Sequence, residues 1–467
     1  MLWTTALGLW GLSRRHSLWR DEAATWQVAL RDTADIWHML GQVDAVHGAY
    51  YLLMHALFAC FGPGTTTLRL PSVLAMAVAA ACVTAVGARL ASRWTGLGAG
   101  LALGLLPAVQ SYLQEGRPYA LVAAGAALST LLLVTQLTGR PRAARWTAYG
   151  ATLLLCGLLN WLSLLILPAH ALTLALSRAG RGPWTRWSAA SAVAVAGTAP
   201  LALFSREQSA QISWIPPLTW HMLIGPAVLV GVGCLAALAD RTRTGHRPTG
   251  LSPATVGLPL LVVPQLGLVL LSLVKPLFLD RYVLFSQLGL ALLVGAGTGA
   301  AVRAVRPRFP RAAPWVLPVV LAVAVTALLP YSLAKREPAS RVDDVFAVAG
   351  RVARLKRDGN AVLFVPAARR DTALVSPGAF AGLRDIALAE GPVESGTLKG
   401  VEAGPGRIRD AMLRERRILL VTDAPEVARP VAGRRDKAKR DVLERYFTPV
   451  ADEWVRGRRV TVYERSV

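Results

Sequence analysis

The sequence predicts an α-helical polytopic membrane protein of about eleven spanning helices, followed by a small C-terminal α/β domain. Hydrophobic residues make up 54% of the 467 residues and the mean hydropathy is +0.43, which is too apolar for a soluble protein of this length. Stretches of roughly 20 apolar residues recur through the first 334 positions, the length a helix needs to cross the hydrocarbon layer. These stretches lack the period-two alternation of a membrane β-barrel, so helices are favoured.

The apolar stretches give the predicted spanning segments. They lie near 2–13, 70–90, 96–113, 118–137, 147–160, 161–177, 187–204, 219–239, 253–274, 282–302 and 313–333. The first is short for a span. We therefore expect that the true start lies upstream of Met1, with a short, snorkelling first helix as the alternative.

Arginines in the short loops predict the orientation. Alternate loops are rich in them: Arg89 and Arg93; Arg140, Arg142 and Arg145; Arg178, Arg181 and Arg186; Arg241, Arg243 and Arg247; Arg303, Arg306, Arg308 and Arg311. Short cytoplasmic loops carry an excess of Lys and Arg, so this set is predicted to face the cytoplasm. The opposite, outer side then receives 14–69, 114–118, 205–218, 275–281 and the tail. An exception to the bias is a group of outer arginines, Arg14, Arg15, Arg20, Arg31 and Arg69.

The formal charge of +23 does not indicate nucleic-acid binding. Most cations lie in short loops between apolar stretches or in the tail, where topology signalling and contact with anionic membrane lipid explain them. No nucleic-acid partner is therefore expected.

The charged linker near 332–340 predicts two domains: a transmembrane domain, 1–334, with its long first outer loop 14–69, and an extracytoplasmic α/β domain, 335–467. Alternating patterns in the tail predict such a domain. They indicate helices at 342–357 and 408–415 and strands at 361–365, 417–422 and 459–463, the last paired antiparallel with 453–455. The charged stretch 434–440 is predicted to be solvated, with anionic-lipid contact left open. Acceptor recognition is one hypothesis for this domain.

The first outer loop opens with Asp21 and Glu22, directly after the first apolar segment. Neighbouring carboxylates on a helix point about 100° apart, so one is expected to do chemistry and the other to support the structure. The alternative is that Asp21 caps the helix. Two amphipathic helices are expected at the membrane surface, with Trp19, Trp26 and Trp37 as interfacial anchors.

Asp44 and His47 lie three residues apart in the same loop. An imidazole beside a carboxylate suits a divalent metal or a phosphate contact. An ordinary polar histidine is the alternative.

Two further outer turns carry polar side chains, Glu115, Arg117 and Tyr119 in one and Arg281 with Tyr282 in the other. Arginine suits bidentate contact with phosphate; a polar turn and an interfacial anchor are the alternatives. A carboxylate and several cations on one side of the membrane suit a phosphate-bearing lipid substrate, and we expect them to converge on one pocket.

The ordered motifs LWRDEA, HGAYYLLMHALFACFG, RLPSVLA, QEGRPYAL and LDRYVLFSQLGLALLVGAG resemble the GT-C superfamily of membrane glycosyltransferases. The similarity is to the family-39-like group, which includes protein O-mannosyltransferases and lipid A aminoarabinose transferases, and covers roughly 18–290. One departure is visible, since Gly48 and Ala49 stand where the family's HPPLYY-like segment has two prolines.

The resemblance implies transfer of a sugar, with inversion, from a polyprenyl-phosphate donor to a hydroxyl of a glycan, lipid or protein acceptor at the outer face of the cytoplasmic membrane. It implies catalysis by Asp21 with support from Glu22. Donor-phosphate binding is expected of His47, Glu115, Arg117, Tyr119, Arg281 and Tyr282. A divalent metal, Mg or Mn, is used by some members, and Asp44 with His47 is the candidate site here. A transporter or lipid flippase, or a non-catalytic cell-envelope assembly protein, remain the alternatives.

Overall fold

The computed structural model describes residues 1–208, 214–241, 250–357, 359–430 and 433–466; Arg243 and Arg247 lie outside them. The chain forms two compact units. We call Met1–Trp10 with Arg69–Leu333 the membrane unit, and Gly11–Leu68 with Ala334–Val467 the loop–tail unit. The long first loop thus belongs with the tail, rather than with the helices that flank it in sequence.

The membrane unit is built from helices. They are Leu2–Leu9, Thr65–Leu90 (whose first turn falls in the loop–tail unit), Arg93–Leu105, Pro107–Tyr112, Tyr119–Thr138, Ala143–Leu159, Ile166–Leu176, Arg181–Glu207, Ile224–Arg241, Pro253–Val274, Gln287–Val305 and Val316–Ala334. Short 3-10 turns precede several of them, at Trp161–Leu165, Trp220–Leu223, Asp280–Ser286 and Ala313–Trp315. Every predicted spanning segment falls on this helical framework.

Seven of the described helical stretches are long and apolar enough to cross a membrane: Thr65–Leu90, Tyr119–Thr138, Arg181–Glu207, Trp220–Asp240, Pro253–Val274, Asp280–Val305 and Ala313–Ala334. The predicted helical membrane fold is therefore confirmed. The remaining predicted spans are helical but shorter or interrupted. The span predicted at 96–113, for example, breaks at Leu106 before Pro107. The total of eleven crossings stays a prediction.

Small residues bring the central helices close together. A methyl group at Gly295, in Gln287–Val305, would overlap the backbone of Thr95 and Ala99 in Arg93–Leu105. Such close approach through small residues is a main source of helix association in membranes, where lipid is as apolar as the side chains.

The loop part of the loop–tail unit contains helices Arg20–Ala29, Thr33–Gln42 and Gly48–Phe61, with 3-10 turns at Arg14–His16 and Ala45–His47. The prediction that Trp26 is an interfacial anchor is wrong. Its ring is buried and packs edge-on against Phe58 and Phe346, because the apolar faces of these helices cover one another and the tail. Trp37 is exposed.

The tail part contains helices Val345–Leu355, Asp371–Val375, Pro377–Phe380, Pro405–Leu413 and Arg434–Tyr446. Its five-stranded sheet has the order Arg384–Asp385, Ala361–Val365, Arg417–Asp423, Arg458–Arg465 and Phe447–Val455. The first two pairings are parallel and the last two antiparallel. The predicted α/β character and the antiparallel pairing of Glu453–Val455 with the last strand are confirmed.

The charged stretch 434–440 is largely solvated, as predicted, except at Lys439. It begins a helix on which Lys439 is fully buried, and the Lys439 ammonium bonds to both carboxylate oxygens of Glu402 at 2.8 and 2.7 Å. A buried charge requires such a partner, and that partner comes from a distant part of the chain.

Three of the outer arginines that break the charge bias connect the loop to the tail. Arg15 pairs with Glu337 at 3.0 Å, and Arg20 pairs with Asp343 at 3.1 Å. Arg31 donates to the carbonyl of Thr397 at 2.7 Å. Packing within the loop–tail unit therefore accounts for three of the arginines that break the predicted charge bias.

Candidate active site

Asp21 and Glu22 lie in the first turn of helix Arg20–Ala29, which we call the acid helix. Their environments differ, because Asp21 is half-buried whereas Glu22 is fully buried. A group that meets a substrate must be accessible, and of the two carboxylates Asp21 is the accessible one.

The start of the acid helix is held by a residue of the tail. The backbone N–H of Arg20 donates to Oδ1 of Asp343 at 3.0 Å, and its Nε donates to Oδ2 at 3.1 Å. Asp343 also accepts from Nε and Nη2 of Arg458, at 3.1 and 3.0 Å. Burial alone would raise the pKa of the Asp343 carboxyl, but the charges of Arg458 and Arg20 outweigh it and hold the pKa below its usual range.

Asp44 and His47 are in direct contact. Oδ1 of Asp44 lies 2.7 Å from Nδ1 of His47, and the Tyr51 hydroxyl donates to Oδ2 of Asp44. Asp44 has a left-handed backbone conformation with φ of +62°, and it directly precedes the 3-10 turn Ala45–His47. A carboxylate in this position fixes the orientation of the imidazole ring.

The same geometry tests the metal hypothesis. The facing atoms of Asp44 and His47 bond to each other rather than surrounding a common point. Among the described residues, no group of three or more His, Cys, Asp or Glu side chains could hold an ion. Asp44 and His47, in this geometry, therefore do not fit a chelating pair.

The turn that carries Glu115 and Arg117 is buried in the membrane unit, with exposures of 1% and 7%. The Glu115 carbonyl accepts from the Ser72 hydroxyl at 2.5 Å and from the Arg117 N–H at 2.9 Å. The Gln114 amide donates to the carbonyls of Gly8 and Trp10 at 2.8 and 2.6 Å. These hydrogen bonds fix the turn against the end of the first helix. They thereby fix the backbone positions from which the Glu115 and Arg117 side chains extend.

Arg281 lies among aromatic rings. Its guanidinium carbon is 5.8 Å from the centre of the Tyr119 ring and 5.6 Å from that of Trp214. Tyr119 in turn contacts Tyr282, with ring centres 6.2 Å apart. Three residues predicted for donor-phosphate binding therefore come together in the membrane unit, and contact with aromatic faces holds the guanidinium in place.

Three other members of this cluster are not among the predicted site residues. Trp214 covers Arg281, while Asp280 accepts from the Tyr112 hydroxyl at 3.0 Å and from the Arg281 N–H at 2.8 Å. Asp280 stands beside Arg281 in sequence, which is a signal that could have identified it. Trp214 and Tyr112 are far apart in sequence, and only the fold brings them here.

The nine predicted site residues are divided between the two units. Asp21, Glu22, Asp44 and His47 belong to the loop–tail unit, whereas Glu115, Arg117, Tyr119, Arg281 and Tyr282 belong to the membrane unit. Their convergence on one pocket stays a prediction.

Comparison with known proteins rests on structure alone. No protein-family model matches the sequence, and no curated protein matches it either. ArnT from Cupriavidus metallidurans in the apo state is similar, with a TM-score of 0.64 and 13% identity over 98% of this chain and 96% of that chain. The same protein bound to undecaprenyl phosphate gives a TM-score of 0.59 and 12% identity over the same shares.

The arabinofuranosyltransferase AftD from mycobacteria is also similar, with a TM-score of 0.50 and 17% identity. The match covers 99% of this chain and 41% of the AftD chain. ArnT and AftD are GT-C superfamily membrane glycosyltransferases. The chain therefore has the GT-C fold, as its sequence motifs predict.

Proposed function

We propose that this protein is a glycosyltransferase that moves a sugar from a polyprenyl-phosphate-linked donor to an acceptor hydroxyl at the outer face of the cytoplasmic membrane. The observation that carries the proposal is the guanidinium of Arg281, which lies against the rings of Tyr119 and Trp214. The fold that carries it is similar, along nearly its whole length, to a structure bound to undecaprenyl phosphate. The sugar and the acceptor, whether glycan, lipid or protein, stay open.

The proposed chemistry is a single displacement. Asp21 takes the proton of the acceptor hydroxyl as its oxygen attacks the anomeric carbon, and the bond from that carbon to the phosphate oxygen breaks. One displacement inverts the anomeric centre. Polyprenyl phosphate leaves with a gain of negative charge, which Arg117 and Arg281 stabilise.

The other site residues have supporting roles in this proposal. Glu22 is buried and supports the acid helix. Tyr119 and Tyr282 fix Arg281, and Glu115 lies in the turn that positions Arg117. His47, oriented by Asp44, contacts the donor phosphate through Nε2.

The two-part composition of the loop–tail unit supports the proposal that the first loop and the tail share one side of the membrane. Because Gly11–Leu68 and Ala334–Val467 form one unit, both lie on the same side of the membrane, and the chain between them crosses an even number of times. The seven long helices alone are an odd number. The sequence predicts ten crossings after the first spanning segment. That number results when three shorter helical stretches also cross the membrane: 93–112, 143–159 and 161–176. Nucleotide sugars are cytoplasmic, so an outer site requires a lipid-borne donor.

A transporter or lipid flippase is the second hypothesis. Such proteins commonly have inverted repeats and charged or broken helices at mid-membrane. Here the candidate charges lie in turns at helix ends, which favours chemistry at the membrane boundary. A non-catalytic assembly protein shares the fold but predicts no sugar transfer.

The test uses the full chain in nanodiscs with radiolabelled undecaprenyl-phosphate mannose, arabinofuranose and aminoarabinose, and envelope extract as acceptor source. We expect one donor to lose its label to an acceptor with release of undecaprenyl phosphate, and Arg281→Leu to abolish this. Fluorescent undecaprenyl-phosphate lipid in proteoliposomes reports flipping in parallel. Flipping without transfer from any donor would assign the protein to the transporter class instead.

A further inference from the structure

The acid helix lacks a cap of its own. Its N-cap residue, Trp19, makes no side-chain hydrogen bond to the first turn, and the first N–H groups of a helix have no partner within the helix. Oδ1 of Asp343 accepts from one of them, the Arg20 N–H. A carboxylate 323 positions away in sequence therefore takes the role that a local Ser or Asp usually has.

The contact extends over three consecutive residues. The carbonyl of Leu18 accepts from the Val345 N–H at 2.6 Å, and the guanidinium carbon of Arg341 lies 5.5 Å from the centre of the Trp19 ring. The Arg20 guanidinium binds Asp343. The chain entering the acid helix is thus fixed along its length against the segment that enters helix Val345–Leu355.

The sheet of the tail sets the position of Asp343. Its partner Arg458 begins the strand Arg458–Arg465, and both side chains are fully buried. Arg458 also binds the two carboxylate oxygens of Asp371 at 2.6 and 2.7 Å. A guanidinium bound on two sides in this way is fixed in its plane, so Asp343 is held between the sheet and the acid helix.

From this arrangement we infer that the C-terminal domain positions the catalytic acid: Asp343, held by Arg458, sets where the acid helix begins and hence where Asp21 points. The inference rests on the proposed function, since it needs Asp21 to take part in transfer. Asp343 and Arg458 are positioning residues that do not meet the substrate. The acceptor-recognition hypothesis for the tail makes a different prediction, namely that tail changes alter the choice of acceptor rather than the rate.

The inference is tested with Asp343→Asn in the full chain. We expect kcat for sugar transfer to fall by up to about 100-fold, the cost of a displacement of roughly 1 Å at a reacting group, with KM for the lipid-linked donor within about twofold. The matched control is Glu402→Gln, which removes an equally buried tail carboxylate bonded to Arg370 and Lys439. Arg458→Lys, which keeps the charge but not the two-sided contact, is the milder second variant.

Hydrogen–deuterium exchange over residues 18–30 gives a readout independent of activity. Asp343→Asn and Arg458→Lys should accelerate exchange there, whereas Glu402→Gln should not. If Glu402→Gln accelerated exchange and lowered kcat as much as Asp343→Asn does, the inference would be overturned, because the effect would then be general instability of the tail. A parent-like rate in both Asp343→Asn and Arg458→Lys would also overturn it.

A double variant separates this inference from the proposed function. If Asp343 acts through Asp21, adding Asp343→Asn to Asp21→Asn should not slow the residual rate further. A loss of rate with Asp21→Asn but none with Asp343→Asn contradicts only the positioning role. Full activity of Asp21→Asn contradicts the catalytic role of Asp21 itself.

Discussion

The guanidinium of Arg281 lies over the ring of Trp214, with its central carbon 5.6 Å from the ring centre, and the Tyr119 ring is 5.8 Å from the same atom. A planar guanidinium stacks on aromatic rings and can bind a phosphate through two N–H groups at once, whereas an ammonium has no such plane. These ring contacts support our proposal that Arg281 binds the donor phosphate.

This geometry predicts a difference between two substitutions. Arg281→Leu should weaken binding of undecaprenyl phosphate by about 10-fold or more, since a hydrogen bond to a charged group is worth roughly 1.5–3 kcal/mol. Arg281→Lys should recover only part of that loss. Binding is measured by native mass spectrometry in detergent, with Arg308→Leu, an exposed arginine of a predicted cytoplasmic loop, as the control. Parent-like binding by Arg281→Leu would remove the phosphate role.

A buried polar chain in the membrane unit predicts a stability effect. Trp187 Nε1 donates to the Tyr149 hydroxyl at 2.9 Å, which lies 2.8 Å from Nδ1 of His170, and Nε2 of His170 is 3.0 Å from Thr130 Oγ1. The Thr130 hydroxyl donates to a backbone carbonyl, so His170 donates from Nε2 and accepts at Nδ1. The chain joins four helices.

Tyr149→Phe removes both of its hydrogen bonds from this chain. We expect a loss of about 1–3 kcal/mol in the free energy of unfolding, measured as a lower unfolding temperature in detergent. Thr152→Val, which removes an exposed hydroxyl bonded within its own helix, should change little. Equal stability of Tyr149→Phe and the parent would show that the chain contributes nothing to helix association.

The Asp343 carboxyl predicts a dependence of stability on pH. Its pKa in the folded protein is lowered from the ordinary value of 3.8. Burial by itself would raise this pKa, but the positive charges of Arg458 and Arg20 lower it by more. Its ionised form therefore stabilises the fold above that value, and the contribution is lost as the pH falls through the lower folded pKa. Asp343→Asn should cost about 3–5 kcal/mol near pH 7 and progressively less below about pH 4.

Asp344 provides the opposite case next in sequence. Burial raises its pKa above 3.8, although N–H groups of Ala347 and Leu18 partly offset the effect. Asn caps a helix about as well as Asp, so Asp344→Asn should leave stability near pH 7 unchanged or slightly higher. Thermal unfolding of both variants across pH 3–8 checks the contrast, and equal losses at neutral pH would contradict it.

The Asp44–His47 pair predicts the effect of metal removal. Because Asp44 bonds the His47 ring directly, we expect His47 to act on the donor phosphate as an oriented imidazole. His47→Ala should weaken donor binding by about 10-fold, through loss of a hydrogen bond to a charged group, while EDTA leaves the parent rate unchanged. A rate that EDTA abolishes and Mg or Mn restores would reassign His47 to metal binding.

Much of the membrane unit could be predicted from local pattern, since apolar length alone determines where a helix can cross lipid. The tail strands at 361–365 and 417–422 could likewise be predicted from their apolar, β-branched composition. The helix Arg434–Tyr446 was not predicted, because its charged sequence does not show that Lys439 is buried. The partner of Lys439, Glu402, lies in a different segment.

The contacts that assemble the loop–tail unit follow from no local pattern. Arg20 and Asp343 look like ordinary surface charges until the fold places them 3.1 Å apart. Trp26 likewise has the composition of a membrane anchor, and only its packing on Phe346 shows it to be a core residue. The assignment of Asp21 came from family resemblance, and its half-buried place in the first turn of the acid helix is compatible with that role.

The most direct test is the single-turnover rate of sugar transfer by Asp21→Asn, with a saturating lipid-linked donor and the full chain in nanodiscs. The account predicts a rate lower by about 100-fold or more, as for loss of a general base, with donor binding retained. Transfer at the parental rate would contradict it.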